Sequence, residues 1–265
     1  MKQTWSIALA QIPCVEGEKE TNLQEIEQAI EEAYAQGADI LVLPEIILTG
    51  FVRKDELRTL AEPRNGKSTA RLQAKLADYP LHLIYSFPEL GADGCVYNTT
   101  CFMHRDATPL AYYRKIHLFA GEKKVTAPGS TFITVDVDGV RMGILVCFDI
   151  EFPEAARTLA AQGVQILFVP SANMSPYEYP HRIFTIARAL ENQLFVAYCN
   201  RVGTHRSFVY RGGSMIVGPQ GDILLECRSE EDAREIKTIQ FSLADIHKSK
   251  EVYDYLTERR PKLYQ

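Results

Sequence analysis

The sequence contains the same local pattern twice. Residues 36–44 (QGADILVLP) resemble residues 162–170 (QGVQILFVP), and the two segments are offset by 126 residues. In each, a glycine follows a helical pattern and a wholly apolar strand then runs up to a proline, which is typical of a strand covered on both faces. Two such units predict a pseudo-symmetric pair of sheets with helices on their outer faces. Glycine is common at helix-to-strand junctions, so coincidence is the alternative.

The rest of the chain alternates between sequence patterns typical of helices and patterns typical of strands. Apolar residues at three- and four-residue spacing predict helices, and apolar runs bounded by turn residues predict strands. The predicted helices cover residues 20–36, 67–78, 153–162 and 180–192. The predicted strands cover residues 6–12, 39–43, 81–86, 95–103, 108–113, 131–137, 164–170, 194–200 and 235–241, with one more strand ending at Cys147 and a further hairpin that turns at residues 218–221. A helical, charged tail follows.

Length and composition favour a single domain. No Pro/Gly/Ser-rich linker divides the 265 residues, so we predict a single domain over 1–265, with a tail at about 242–265 used in subunit packing. The net charge of −5 argues against nucleic-acid and anionic-membrane partners. No apolar run approaches the ~20 residues of a membrane span, and the N-terminus has no signal-peptide pattern.

The six cysteines are scattered and form no Cys-x-x-Cys pair. This usage is typical of a reduced, cytoplasmic protein without disulfides or structural zinc. We therefore expect no metal and no cofactor.

One of these cysteines has an unusual setting. In residues 143–154 (GILVCFDIEFPE), an apolar strand ends at Cys147, a short turn follows, and Pro153 stands where a helix can begin. This resembles the nucleophile elbow of hydrolases, with cysteine in place of serine. The alternative is an ordinary core cysteine, since free cysteine is often buried.

Two further segments offer partners for that thiol. In residues 41–45 (LVLPE) an apolar strand ends at Glu45, and in residues 112–119 (YYRKIHLF) Lys115 follows two tyrosines. Alone, Glu45 could be a solvated loop residue and Lys115 a surface lysine. Together with Cys147, they supply a base, a cation for an oxyanion, and a nucleophile.

These three motifs resemble those of the nitrilase superfamily of carbon–nitrogen hydrolases, over essentially the whole chain. The resemblance implies a four-layer αββα sandwich and a Glu45–Lys115–Cys147 triad. It also implies that Glu122 positions the substrate amide and Lys115. The alternative for Glu122 is a solvated loop residue beside two lysines.

The implied reaction is hydrolysis of a small aliphatic carboxamide through a cysteine thioester. Cys147 would attack after Glu45 takes its proton, and the oxyanion would lie between Lys115 and the backbone N–H of Phe148. Asp149 would hold the turn through backbone N–H groups. A papain-like enzyme with His117 or His181 as base is the competing interpretation, although the sequence links neither histidine to an orienting Asn or Asp.

The substrate is less constrained than the chemistry. The chain resembles the amidase branch that includes 5-aminopentanamidase, and the loop at residues 171–179 is predicted to line the pocket through Asn173, Met174 and Tyr177. Glu178 is the predicted counter-charge for a substrate ammonium, with a solvated loop acid as the alternative. An ω-amidase would instead need a cation, and the candidates are Arg182, Arg201 and Arg206.

Other functions stay open at this point. They are N-carbamoyl amide hydrolysis, nitrile hydrolysis, acyl transfer to an amine, and a non-catalytic scaffold. True nitrilases of the superfamily usually carry Cys-Trp-Glu at the nucleophile, whereas residues 147–149 read Cys-Phe-Asp. The resemblance further implies a homodimer, and the aromatic residues of the tail suit a partner subunit.

Overall fold

The computed structural model describes residues 2–264. The strands are β1 (Thr4–Gln11), β2 (Ile40–Val42), β3 (His82–Leu90), β4 (Val96–Met103), β5 (Pro109–Arg114), β6 (Thr134–Val137), β7 (Val140–Ile144), β8 (Ile166–Ser171), β9 (Phe195–Asn200), β10 (Val202–His205), β11 (Phe208–Arg211), β12 (Met215–Val217), β13 (Ile223–Glu226) and β14 (Glu235–Ser242). The helices are α1 (Lys19–Ala35), α2 (Lys54–Leu60), α3 (Lys67–Asp78), α4 (Pro153–Ala161), α5 (Glu178–Asn192) and α6 (Ala244–Ser249).

Twelve of the strands form two six-stranded sheets with the same pairing pattern. The first has the order β14-β1-β2-β3-β4-β5 and the second β13-β12-β9-β8-β7-β6. In the first sheet β1, β2 and β3 are parallel, and in the second β7, β8 and β9 are parallel. Every other strand of the two sheets pairs antiparallel with its neighbours.

The repeated sequence segment occupies the same place in each sheet. Its strands are β2 and β8, each the middle strand of the parallel three. Gly37 and Gly163 precede them with φ of +73° and +87°, the left-handed conformation in which glycine ends a helix without a Cβ clash. The predicted pair of pseudo-symmetric sheets is confirmed.

The sheets pack face to face and the helices cover their outer faces. Because side chains alternate along a strand, Ile7 and Leu9 of β1 lie in the core shared with the second sheet, whereas Ala8 and Ala10 pack with α1 and α3. The small alanines let α1 approach the sheet closely. Helices α4 and α5 cover the second sheet in the same way, so the molecule is an αββα sandwich.

Two elements were absent from the sequence-based prediction. Helix α2 buries only Leu57, so it has no apolar stripe to reveal it. The hairpin of β10 and β11 forms a two-stranded sheet of its own from strands of four residues each. Neither element contributes a long apolar pattern to the sequence.

One strand end differs from the prediction, and another agrees with it. Strand β7 ends at Ile144, and Cys147 instead opens a 3-10 helix, Cys147–Glu151, that fills the predicted turn before α4. Strand β5 ends at Arg114, so Lys115 lies just beyond it. Both side chains therefore emerge where the sheet stops, which leaves them free to reach a common cavity.

Within residues 2–264, no helix is long and apolar enough to cross a membrane.

Candidate active site

One cavity of about 310 Å³ collects the residues that the motifs singled out. Glu45 follows β2, Lys115 follows β5 and Cys147 follows β7, and all three line this cavity. Strands β2 and β7 belong to different sheets, so the cavity lies where the ends of the two sheets meet.

The Glu45 carboxylate is fixed on both oxygens. Its Oε1 accepts hydrogen bonds from Lys115 Nζ at 2.7 Å and from Asn98 Nδ2 at 2.7 Å. Its Oε2 accepts one from the backbone N–H of Ala172 at 3.0 Å. The side chain is only 1% exposed, so these contacts replace the water that a buried carboxylate would otherwise need.

Lys115 is bonded to a second carboxylate. Its Nζ lies 2.6 Å from Glu122 Oε2 and, like Glu45, it is 1% exposed. Burial alone would lower the pKa of Lys115, but the charges of Glu45 and Glu122 outweigh burial and raise it well above its usual value. Lys115 is therefore a permanent cation in the cavity wall.

Glu122 is held as tightly. Its Oε2 also accepts the N–H of Phe119 at 2.8 Å, and its Oε1 accepts Asn98 Nδ2 at 3.1 Å. Burial raises the pKa of Glu122, and the Lys115 charge opposes that rise. The solvated alternative for Glu122 does not fit this environment, since the residue is buried.

Cys147 has a strained backbone. Its φ is +48°, which is uncommon for a residue with a side chain and is the conformation expected of a nucleophile elbow. Burial and the negative charge of Glu45 raise the pKa of its thiol, while Lys115 lowers it. The resting group is thus a thiol, and reaction requires a base to remove its proton.

The next backbone N–H belongs to Phe148, which also lines the cavity. Phe148 lies in the first turn of the 3-10 helix, where N–H groups have no acceptor within the helix.

Asp149 stabilises the turn that begins at Cys147. Its Oδ2 accepts hydrogen bonds from the N–H of Val146 at 3.0 Å and from the hydroxyl of Tyr113 at 2.8 Å. Its Oδ1 accepts the N–H of His117 at 2.9 Å. The predicted hold on the turn through a backbone N–H is present, and Asp149 also ties the cysteine turn to the segment that carries Lys115.

Three of the four predicted substrate-binding residues line the cavity, namely Asn173, Met174 and Tyr177. The Nδ2 of Asn173 donates to the carbonyl of Tyr177 at 2.9 Å, which closes the loop on itself. Its backbone N–H donates to Asn200 Oδ1 at 2.8 Å, which attaches the loop to β9.

Glu178, the fourth, lies elsewhere. It is the first residue of α5, it is hydrogen-bonded to Ser175, and it lies 3.7 Å from Arg211. It lines a separate pocket on the surface instead of the cavity of Cys147. The start of α5 therefore keeps its side chain out of the cavity of Cys147.

The two histidines of the papain-like interpretation have other partners. His117 Nδ1 lies 2.7 Å from Asp149 Oδ1, and the ring stacks on Phe152 outside the cavity lining. The expectation that no aspartate orients it was wrong, because Asp149 arrives from a distant part of the chain. His181 lines the cavity but is bonded to Glu151 and Tyr198.

Two of the three candidate arginines lie away from the cavity of Cys147. Arg201 is buried and bonded to Glu16 at 2.8 Å, and Arg182 is bonded to Glu226 at 2.6 Å. Only Arg206, in the turn between β10 and β11, lines the cavity.

Some residues of the site were not identified from the sequence. Asn98 bonds both carboxylates from behind the cavity lining, yet a lone polar residue in a strand carries no signal of this role. The remaining wall is largely apolar or aromatic, and it includes Phe51, Val52, Phe119, Val125, Phe208 and Tyr210. Among residues 2–264, no group of three His, Cys, Asp or Glu side chains could hold a metal ion.

A family model described as carbon–nitrogen hydrolase matches residues 6–251. The chain belongs to the carbon–nitrogen hydrolase family, within the nitrilase superfamily. It is 37% identical to an (R)-stereoselective amidase of Pseudomonas sp. over 96% of this chain and 91% of that protein. It is 32% identical to the human ω-amidase NIT2 over 98% of this chain and 95% of that one.

Solved structures agree with the sequence relatives. An amidase of Nesterenkonia sp. superimposes with a TM-score of 0.86 at 30% identity, over 100% of this chain and 97% of that one. In a variant of that amidase, the acetamide moiety of fluoroacetamide is attached covalently to the active-site cysteine. These findings confirm the predicted fold and the predicted reaction class, an amidase with a cysteine nucleophile.

Proposed function

We propose that this carbon–nitrogen hydrolase cleaves small aliphatic carboxamides to carboxylate and ammonia, with Cys147 as nucleophile, Glu45 as base and Lys115 as oxyanion partner. The single observation that carries the proposal is the lining of one cavity by a thiol, a fixed carboxylate and a buried ammonium. Each step of amide hydrolysis finds its group in this set.

In the first half of the reaction, Glu45 removes the thiol proton as the Cys147 sulfur bonds to the amide carbon. The carbonyl electrons move to oxygen, and the resulting oxyanion is stabilised by Lys115 and by the N–H of Phe148. When the tetrahedral intermediate collapses, the C–N bond breaks and Glu45 returns its proton to the departing ammonia. A thioester remains on Cys147.

In the second half, water replaces ammonia. Glu45 takes a proton from water, the hydroxide oxygen bonds to the thioester carbon, and a second oxyanion forms at the same place. Its collapse breaks the C–S bond, the proton held by Glu45 returns to sulfur, and the carboxylic acid that leaves gives up the other water proton to the released ammonia or to solvent, becoming the carboxylate. Acyl transfer to an amine would use the same thioester, so water and amine acceptors must be compared directly.

Glu122 and Asn98 act in this scheme as positioning residues. Glu122 bonds Lys115, and Asn98 bonds both carboxylates through one amide nitrogen. They keep the ammonium and the base in fixed relation while charge moves between sulfur, nitrogen and oxygen.

The apolar walls support a small aliphatic acyl group. Acrylamide and butyramide occupy structures of the Nesterenkonia amidase, and we propose amides of that size here. The test is ammonia release from a panel of aliphatic amides, matched nitriles and N-carbamoyl compounds. Release from the nitriles alone would contradict the proposal.

The nucleophile is tested by fluoroacetamide labelling. Intact mass should increase by one acetamide moiety in the native protein and in Cys95→Ala, the control for the exposed cysteine, but not in Cys147→Ala. Labelling that persists in Cys147→Ala and disappears in Cys95→Ala would refute the assignment.

We also propose that the protein assembles as a homodimer through its C-terminal tail. Gln193 Nε2 donates to the carbonyl of Ser249 at 2.6 Å, and the N–H of Tyr255 donates to Gln193 Oε1 at 3.0 Å, so the tail backbone is bound to its own subunit. Its side chains stay open, with Val252 88% and Leu263 71% exposed. Exposed apolar side chains in a charged tail suit a second copy. A monomeric mass by light scattering would contradict the dimer.

A reducing compartment such as the cytoplasm is proposed from the thiols. All six cysteines are free, and five of them are buried. Full thiol titration of protein isolated without reductant would support this, whereas an isolated disulfide would argue against it.

A further inference from the structure

A third carboxylate, beside those of Glu45 and Glu122, lines the cavity of Cys147. Glu151 is the last residue of the 3-10 helix that Cys147 begins, and it lines the same cavity. Its side chain is 29% exposed. Glu151 has no role in the reaction described above, because Glu45 acts as the base for Cys147 and Glu122 positions the ammonium group of Lys115.

Hydrogen bonds to its backbone and to one carboxylate oxygen fix the position of Glu151. Arg188 donates to the backbone carbonyls of Ile150 at 3.0 Å and of Glu151 at 2.9 Å, so this guanidinium binds the main chain and not the carboxylate. The Glu151 Oε1 lies 3.1 Å from His181 Nε2, and His181 Nδ1 lies 3.2 Å from the hydroxyl of Tyr198.

These contacts use only one oxygen of the Glu151 carboxylate. Burial raises the pKa of Tyr198 well above its usual value, so its hydroxyl keeps its proton and can donate to His181 Nδ1. An imidazole that accepts at Nδ1 donates from Nε2, and the acceptor there is Glu151 Oε1. Within residues 2–264, the Oε2 of Glu151 has no hydrogen-bond partner, and this oxygen can accept a bond from a ligand.

Two of the other ionisable side chains of the cavity already have partners. Lys115 is shared by Glu45 and Glu122, and His205 lies 3.0 Å from Glu16. Arg206 is a cation on the exposed hairpin turn, whereas Glu151 belongs to the same short helix as the nucleophile. The charge nearest to Cys147 along the chain that can still take a partner is therefore negative.

We propose that Glu151 is the specificity residue of this enzyme and binds an ammonium group of the substrate, so that the preferred amides are aminoamides. This inference rests on the amidase function proposed above. A 3-10 helix rises about 2 Å per residue, so the four steps from Cys147 to Glu151 span about 8 Å. A few methylene groups between carbonyl and ammonium bridge such a distance, and the apolar walls cover them.

The test is a chain-length series. Aminoamides from glycinamide to 5-aminopentanamide are each compared with the neutral amide in which a methyl group replaces the ammonium. The native enzyme should prefer the cationic member of one pair. Glu151→Gln should lower kcat/KM for that member by about 10- to 100-fold, the usual cost of a hydrogen bond to a charged group, and leave its neutral partner unchanged.

Two further variants keep the test decisive. Glu151→Asp retains the charge on a shorter side chain, so its preference should move to a longer aminoamide, and this holds even if Glu151→Gln does not fold. Glu154→Gln removes an exposed charge from the first turn of α4 and should behave like the native enzyme.

Several outcomes would overturn the inference. They are an equal loss for cationic and neutral amides in Glu151→Gln, the absence of any preference in the native enzyme, and a loss of preference in Glu178→Gln instead. A preference for carboxylate-bearing amides that Arg206→Gln abolishes would also overturn it. In each case hydrolysis of the neutral amides would still support the amidase function, whereas no ammonia release from any amide would refute that function itself.

Discussion

Asn98 provides the sharpest test of how the site is organised. Its Nδ2 donates to Glu45 Oε1 at 2.7 Å and to Glu122 Oε1 at 3.1 Å, and the residue is fully buried. Asn98→Ala removes both bonds, and each carboxylate then keeps only Lys115 and one backbone N–H, that of Ala172 for Glu45 and that of Phe119 for Glu122. A hydrogen bond to a charged group contributes about 1.5–3 kcal/mol, so we expect the free energy of unfolding to fall by about 2–4 kcal/mol.

The catalytic consequence is separable from the loss of stability. A base that shifts by about 1 Å costs about 100-fold in rate, so kcat should fall by 10- to 100-fold with little change in KM. Because a donor to a carboxylate favours its ionised form, its loss should also move the acidic limb of the activity profile to higher pH. The assay is ammonia release between pH 4 and 9, alongside urea unfolding.

The control lies two residues along the same strand. Thr100 is equally buried, and its hydroxyl forms a 2.6 Å hydrogen bond with Ser86 away from the carboxylates. Thr100→Ala should lose stability but keep its kcat and its pH profile. If Thr100→Ala loses as much activity as Asn98→Ala, or if Asn98→Ala loses only stability, the positioning role is refuted.

Three other perturbations follow from the same contacts. Burial lowers the pKa of His82 from 6.5 to about 4. As the pH falls, the unfolded chain therefore takes up this proton before the folded protein does, and the free energy of unfolding should decrease by up to about 3 kcal/mol between pH 6.5 and pH 4. Urea titrations of His82→Gln should lack this part of the pH dependence. A Cβ at Gly129 would lie 2.1 Å from the carbonyl oxygen of Arg114, so Gly129→Ala should cost about 1–3 kcal/mol and lower kcat, and an unchanged melting temperature would contradict this. Tyr113→Phe removes the 2.8 Å bond to Asp149 and should lower the free energy of unfolding in urea by about 1.5–3 kcal/mol, and an unchanged unfolding midpoint would contradict this.

The residues of the triad could be predicted because their chemistry depends on residue type and strand position. A carboxylate, an ammonium and a thiol at strand ends are conspicuous wherever they occur. The repeat centred on β2 and β8 predicted the two sheets for a similar reason, since its glycines and apolar runs act locally. Both signals lie within short stretches of the chain.

The remaining site residues depend on pairing between distant segments. Asn98 reaches the carboxylates because β4 pairs with β3 in a register that places it opposite Pro88, beyond the end of β2. Glu178 was predicted to face the substrate because it adjoins the pocket loop, but α5 begins at that residue and carries it away. Glu151 lies within the nucleophile motif itself, and only the course of the 3-10 helix shows that it returns to the cavity.

The catalytic geometry and the packing of the two sheets depend on the same bonds. Glu45 follows β2 of the first sheet, and its backbone N–H donates to the carbonyl of Ser171, at the end of β8 in the second sheet, at 3.2 Å. The N–H of Ala172 returns a bond to the Glu45 carboxylate at 3.0 Å. The base is therefore attached to the sheet that carries Cys147 through both its backbone and its side chain.

Strained residues lie on both sides of this junction, since Ile46 and Cys147, with φ of +46° and +48°, lie just beyond β2 of the first sheet and β7 of the second. Strain of this kind persists only where the surroundings fix it, and here the junction of the two sheets does so. A nucleophile from one sheet and a base from the other can thus stay in register only while the sandwich is intact.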